Sequence, residues 1–397
     1  MLFLRYCFSL LFLLVNPLSS FSPSIRPHKL TATPASRGDL GSDDVKSRVI
    51  AIGDVHGDMA ALTQALRLGG LIGSGSDITT WQGGRTKCVL VGDMLDRGDE
   101  EIEVLNLLEG LRKEARAVGG SVTCLLGNHE VMNACGDFRY TSPEGNQGFA
   151  SIETEVLQSL GGQWGSFIDI PDAPDYPGLR TRAAAFAPGG LMARRLSRFP
   201  VAAIIHGTLF VHAAVTSQAL SAATLANDPL PLRTINRAAG AWLRNEGKES
   251  SSSSRTTTSN IPRTLVGPES LVWSRQFGKP VGTQLPPSDA SELAQVLTTL
   301  GADRMVIGHT PQAPGGPGIN AVVAGTRSST QGGGSGSSGQ CWRIDTGMAS
   351  SMGGKVEVLE ITSFRSGKEA SVRILTGDCV LEAEERKAWS ASDSVLL

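Results

Sequence analysis

The chain has 397 residues, of which 40% are hydrophobic and 19% charged, with a formal net charge of −2. That is ordinary composition for a soluble globular protein, long enough for one large domain or two smaller ones. So even a charge balance gives no global field favouring nucleic acid or an anionic membrane, and no nucleic-acid partner is expected.

The first fifteen residues, MLFLRYCFSLLFLLV, place Arg5 before an apolar stretch. The stretch is too short to span a bilayer comfortably and reads as a signal-peptide core. Residues 21–38 carry Arg, Lys, Ser, Thr and Pro but no acid, which is transit-peptide composition. A signal core, then Phe21, then a basic stretch resembles the bipartite plastid presequence of algae with secondary plastids. Plain secretion, or retention in an endomembrane lumen, is the alternative. Pro17, Pro23 and Pro27 argue against a buried N-terminal helix. Residues 1–47 are therefore expected to be a presequence, and no stable membrane span is expected after processing.

From Val49 the pattern is strand, loop, helix, repeated. RVIAIGDVHGD is a β-branched run ending in Gly-Asp, and AALTQALRLGG follows as a helix stopped by glycine. TKCVLVGDMLDRGD is a second such run. Over EIEVLNLLEGLRKEARAVGG, residues Val104, Leu107, Leu108, Leu111 and Ala115 share one helical face, with Gly119 as the expected C-cap. SVTCLLGNHE is a third apolar run ending in polar residues. AAIIHGTLFVHAAV reads as a hairpin with His206 near its turn and His212 past its second strand, and RMVIGHTPQ ends in His309. Buried strands with polar tips, separated by helices, argue an α/β fold with a layered sheet and a site at the strand ends. Residues 248–260 and 325–340 are Ser- and Gly/Ser-rich and are expected to be disordered surface insertions within one domain over 48–380, followed by a tail over 381–397. Of six cysteines (Cys7, Cys88, Cys124, Cys135, Cys341 and Cys379), Cys7 falls in the presequence and none shows Cys-x-x-Cys spacing, so no disulfide framework is expected.

GDVHGD places Asp54 and His56 one residue apart, so in extended chain both can meet one ion. GDMLDRG supplies Asp93, and then Asp96 and Arg97 after a turn. GNHE supplies Asn128 and His129, and His212 and His309 each follow an apolar run. A mixed Asp/His/Asn set suits Mn, Fe or Zn better than a thiolate site would. One bridging Asp could hold two ions about 3.5–4 Å apart, the arrangement used for phosphoryl hydrolysis. Alone, each Gly-Asp is an ordinary turn signal; together with His56 and Asn128 they point to chemistry. His129 could be a ligand instead of an acid. If the chain is extended there, Asn128 and His129 face opposite ways and only one can meet a given ion. His206 is expected to be structural or exposed, Arg194 and Arg195 to lie on a solvated face, and Glu130 to support its loop by hydrogen bonds.

GDVHG, GDxxDRG and GNHE in this order, at spacings of roughly 40 and 35 residues that fit βαβ units, resemble the phosphoprotein phosphatase (PPP) metallophosphoesterases. RAAAFAPGGLMARRL, FVHAAV, VWSR, GHTPQ and DTGM narrow the resemblance to the Shewanella-like phosphatase branch, over about residues 48–380. The resemblance implies a calcineurin-like β-sandwich flanked by helices and two divalent ions. Asp54 and His56 would hold the first ion, Asp93 would bridge, and Asn128, His212 and His309 would complete the second. A hydroxide between the ions would attack phosphorus, Arg97 and Arg275 would clamp the phosphoryl oxygens, His129 would protonate the leaving group, and Asp96 would orient His129. The implied substrate is phosphoserine or phosphothreonine in protein, with phosphotyrosine as a further candidate. No regulatory subunit is indicated. A diadenosine-tetraphosphatase-like nucleotide hydrolase and a non-catalytic binding module are the alternatives. Ala213-Ala214 departs from the family's His-Gly-Gly or His-Ala-Gly, and if position 214 needs a positive φ, alanine there is strained.

Overall fold

The computed structural model describes residues 44–161, 178–223, 228–246, 261–279, 285–313, 315–323, 340–366, 370–377 and 380–382. The expected presequence up to residue 43, the insertion at 248–260, nearly all of that at 325–340, and Cys7, His28 and Cys379 lie outside the described residues.

Eleven strands are seen among the described residues: β1 (Val45–Ile52), β2 (Lys87–Leu90), β3 (Ser121–Cys124), β4 (Ala202–Ile205), β5 (Thr208–Val211), β6 (Arg304–Ile307), β7 (Asn320–Val323), β8 (Gln340–Arg343), β9 (Glu357–Phe364), β10 (Ser371–Thr376) and β11 (Val380–Glu382). The α-helices are α1 (Met59–Leu68), α2 (Glu101–Ala117), α3 (Asn128–Ala134), α4 (Pro143–Ala150), α5 (Glu153–Ser159), α6 (Leu179–Phe186), α7 (Leu191–Leu196), α8 (Ser217–Ala223), α9 (Pro231–Leu243) and α10 (Pro287–Leu300). None of the described helices is long and apolar enough to cross a membrane.

The strands form two mixed sheets, in the orders β11-β10-β9-β1-β2-β3 and β4-β5-β6-β8-β7. β1–β2, β2–β3, β5–β6 and β6–β8 pair in parallel, and the remaining pairs are antiparallel. A single apolar cluster joins the two sheets: Val49, Ala51, Val89, Leu359 and Ile361 from the first meet Phe210, Val306 and Trp342 from the second. The residues between them in sequence, such as Ile50, Ile52, Cys88, Leu90, Met305 and Cys341, face the other way and pack under the helices. Both faces of these strands are therefore buried, and they read as unbroken apolar runs without alternation. The runs identify the strands but conceal that they belong to two sheets. Over 356–382, where the motifs carry no signal, β9–β11 extend the first sheet. β9 pairs antiparallel with β1 over almost its whole length.

Helix ends follow local signals. Asp58, the last residue of GDVHGD, caps α1 by accepting from the Ala61 N–H at 2.8 Å. α2 stops at Val118, and Gly119 follows at φ 81°, one residue past the cap. The β4–β5 hairpin turns through His206 and Gly207, both at positive φ, as a two-residue hairpin loop requires. Trp342 is 1% exposed at the centre of the inter-sheet cluster. Trp342→Ala should cost about 3–5 kcal/mol, read as a lower urea midpoint at unchanged m-value.

Candidate active site

Each candidate metal ligand lies past the end of a strand. Asp54 and His56 follow β1, Asp93 follows β2, His212 follows β5, and His309 follows β6. Asn128 and His129 follow β3 after a three-residue link. The parallel strands of both sheets thus deliver polar residues to one crevice at their carboxyl ends. The backbone is strained there. Of seven non-glycine residues with positive φ among the described residues, five are His56, Asp93, Asp96, Arg97 and His309. Such strain persists only where surrounding contacts over-determine the geometry.

Glu130 is one of those contacts. Its Oε2 accepts from the N–H groups of Asp93 (2.9 Å) and Gly127 (2.7 Å), and its Oε1 from those of Met94 (2.8 Å) and Leu95 (3.3 Å). One buried carboxylate therefore ties the loop after β2 to the start of α3. Two glycines let these loops touch. A Cβ at Gly127 would collide with the Asp93 carboxylate, and one at Gly92, where φ is 112°, would stand 2.8 Å from His212 Nδ1.

Asp93 is the shared member of two donor groups, His56–Asp93–His129 and Asp93–His212–His309, in each of which the ligand atoms lie within 4.8 Å of one another. Asp93 Oδ2 is 3.3 Å from His212 Nε2, 3.8 Å from His129 Nε2 and 4.0 Å from His56 Nε2. Asn128 Oδ1 lies 2.9 Å from both His212 Nε2 and His309 Nδ1. Asp54 is 1% exposed; its Oδ2 accepts from the His309 N–H at 3.0 Å, while its Oδ1 is buried with no hydrogen-bond partner. An orphaned carboxylate oxygen beside crowded imidazoles and a shared carboxylate is a donor set that a divalent cation would satisfy, so these residues fit a metal site.

The electrostatics agree at two of the three histidine ligands, whereas at the third, His212, burial is outweighed by Asp93, which raises it. Burial lowers the His56 pKa to about 4 and the His309 pKa to about 3, keeping both rings in the neutral, metal-binding form. Burial alone would raise Asp93, but His212, His129 and His56 hold it well below the usual carboxylate range. Burial, with Asp345 and Asp93 adding their charge, pushes Asp54 up. Asp345, just past β8 and 1% exposed, is a third strand-end carboxylate beside Asp54. The sequence assigns it no role, although it opens DTGM, one of the segments that carry the resemblance.

His129 stands apart from the other histidines. Its Nδ1 is 2.6 Å from Asp96 Oδ2, so its Nε2 faces the cluster. Burial pulls its pKa down, but Asp93 and Asp96 outweigh that and raise it. Tyr140 packs at 5.2 Å from its ring, and the exposed Arg97 covers the tyrosine at 5.2 Å. Arg275 is also exposed, and its charge helps depress His309.

Three sequence expectations are corrected. Asn128 and His129 are not on extended chain: they are the first two residues of α3, where successive side chains point about 100° apart, and both reach the cluster. Ala214 does not need a positive φ; it and Ala213 have ordinary backbone and are buried, so no strain arises from the missing glycine. The polar tip of SVTCLLGNHE is not the strand end, because β3 stops at Cys124. Other expectations agree with the structure. His206 is exposed, Glu130 supports the loops, and Arg194 is exposed while Arg195 pairs with Glu109 at 3.2 Å.

The two-sheet sandwich and a crevice of shared acidic and imidazole ligands define a class, and the chain belongs to it: residues 47–313 match the calcineurin-like phosphoesterase family, whose members are metal-dependent phosphoester hydrolases. Within that class it belongs to the Shewanella-like protein phosphatases. It is 32% identical over 350 residues to Shewanella-like protein phosphatase 2 of Arabidopsis thaliana, covering 83% of this chain and 78% of that one. It is 27% identical over 272 residues to Shewanella-like protein phosphatase 1 of Plasmodium berghei, covering 68% and 63%. Among solved structures, the cold-active protein-tyrosine phosphatase of a psychrophilic Shewanella species has the same fold, with a TM-score of 0.56 at 22% identity over 85% of this chain and 80% of that one.

Proposed function

We propose that this enzyme hydrolyses phosphate monoesters on protein side chains, with His129 as the proton donor to the leaving group. The observation that carries the reading is Asp93, held between two donor groups, with the Asp96-braced ring of His129 against it. Asp54, His56 and Asp93 would hold one divalent ion, and Asp93, Asn128, His212 and His309 a second; Mn, Fe and Zn suit this donor set. Bound there, such ions supply a water activated at neutral pH and charge to offset the phosphoryl oxygens.

The protein's own groups do the rest. Arg97, whose charge acts on His129, and Arg275, whose charge acts on His309, carry guanidinium forks that match phosphoryl oxygens. As the bond from phosphorus to the ester oxygen breaks, His129 Nε2 gives its proton to that oxygen, and Nδ1 stays on Asp96. Asp96 braces the ring at Nδ1 and turns Nε2 to the cluster, where the leaving oxygen needs its proton. The names of the relatives support a phosphoprotein substrate, and the Shewanella protein, a protein-tyrosine phosphatase, extends the candidates to phosphotyrosine alongside phosphoserine and phosphothreonine. Residues 1–47 are proposed to direct the chain to a plastid through the secretory route.

The test is direct. The processed chain, supplied with Mn, should release phosphate from phosphopeptides faster than it cleaves diadenosine tetraphosphate. The reverse order would assign it to nucleotide hydrolysis. A metal-loaded chain inert toward both would leave a binding module.

A further inference from the structure

Arg182 is entirely buried; it opens the segment RAAAFAPGGLMARRL and has no part among the residues that bind metal or phosphate. An arginine without solvent costs several kcal/mol unless its donors are matched. Here they are matched by the residues around His129. Nη1 donates to Glu101 Oε2 (2.6 Å), Nη2 to Glu101 Oε1 (2.6 Å) and Asp96 Oδ1 (2.8 Å), and Nε to Asn133 Oδ1 (2.7 Å). Phe149 and Phe186 cover the guanidinium at 4.8 and 5.5 Å. Glu101 Oε1 also accepts the Asp96 N–H at 2.6 Å, so one carboxylate holds both the arginine and the backbone of its target.

The division of labour on Asp96 is the informative part. Oδ2 meets His129 Nδ1. Oδ1 takes Arg182 Nη2 and Asn133 Nδ2 (2.9 Å), and Asn133 in turn donates to the His129 carbonyl at 2.9 Å. Glu101 engages both terminal nitrogens of the guanidinium, so the cluster keeps one negative charge in excess, and that charge faces His129. Arg182 thus fixes the plane of the Asp96 carboxylate without cancelling it.

We propose that Arg182 is a positioning residue for the proton donor: from α6, it sets the Asp96 carboxylate that aims and braces His129. This rests on His129 being the acid. A lysine carries the charge but not the fork and cannot engage Glu101, Asp96 and Asn133 together.

The experiment compares kcat/KM for phenyl phosphate, a poor leaving group, with that for 2,4-dinitrophenyl phosphate, which needs little protonation, in the metal-loaded enzyme. Arg182→Lys and Arg182→Met should lose about 10²-fold on phenyl phosphate and under about tenfold on the dinitrophenyl ester, since general-acid catalysis is worth roughly 10²–10⁴. Adding either change to His129→Asn should cost little more on phenyl phosphate. Equal losses on both esters would mean that Arg182 only holds α6 in place, and would overturn the proposal. If neither arginine variant folds, Asn133→Ser removes the other Oδ1 donor and should show the same split in smaller measure; equal losses there would also overturn it. If His129→Asn itself shows no split, the acid assignment fails first, and the two failures are told apart.

Discussion

Asp93→Asn should lower phosphatase activity by about 10³-fold or more and leave the protein with less than its full complement of metal. An ion in such a site supplies several kcal/mol of transition-state stabilisation, and each 1.36 kcal/mol is a factor of ten. Asparagine keeps the shape and one oxygen but removes the charge. That charge is the counterweight to His212, His129 and His56, which all face the Asp93 carboxylate. Elemental analysis alongside turnover is the measurement. Full activity with metal content unchanged would sink the bridging role.

His129→Asn should leave the metal content intact and cut turnover by about 10²–10⁴-fold on phosphopeptides, whose alkoxide leaving groups need a proton, with a smaller loss on p-nitrophenyl phosphate. The pH profile should change with it. In the wild type the donor must be protonated, so the rate falls as pH rises through the His129 pKa. Burial draws that pKa down, but Asp93 and Asp96 hold it above the ordinary 6.5. Removing the imidazole should remove that alkaline limb. A limb that survives in His129→Asn belongs to another group and would argue against His129 as the donor.

The ligand positions were legible because each follows an apolar run by one to three residues, and a buried strand with a polar tip is a local pattern. Asp54, Asp93, His212 and His309 all follow that pattern. What lacked a local signal was harder to read. The split into two sheets was hidden because strands buried on both faces lose their alternation. The conformation at Asn128 was misread as extended because LL precedes GNHE directly, whereas Gly127 ends the extended chain and α3 begins. Arg182 and Asp345 had no legible role, since their partners lie far off in the chain: Arg182 meets Asp96 across 86 residues. Nothing in RTRAAAF by itself distinguishes a buried arginine from a solvated one.

The placement of the ligands has a kinetic corollary. Asp54, Asp93 and Asn128 hang from the first sheet, and His212, His309 and Asp345 from the second, so the crevice does not exist until residues near both ends of the catalytic region have docked. Contacts so distant in sequence form late, because loop closure must precede them. The first sheet alone brings Asp54, Asp93 and Asn128 together, but the complete donor set exists only once the second sheet has docked, and an ion that binds the assembled site stabilises that docked state.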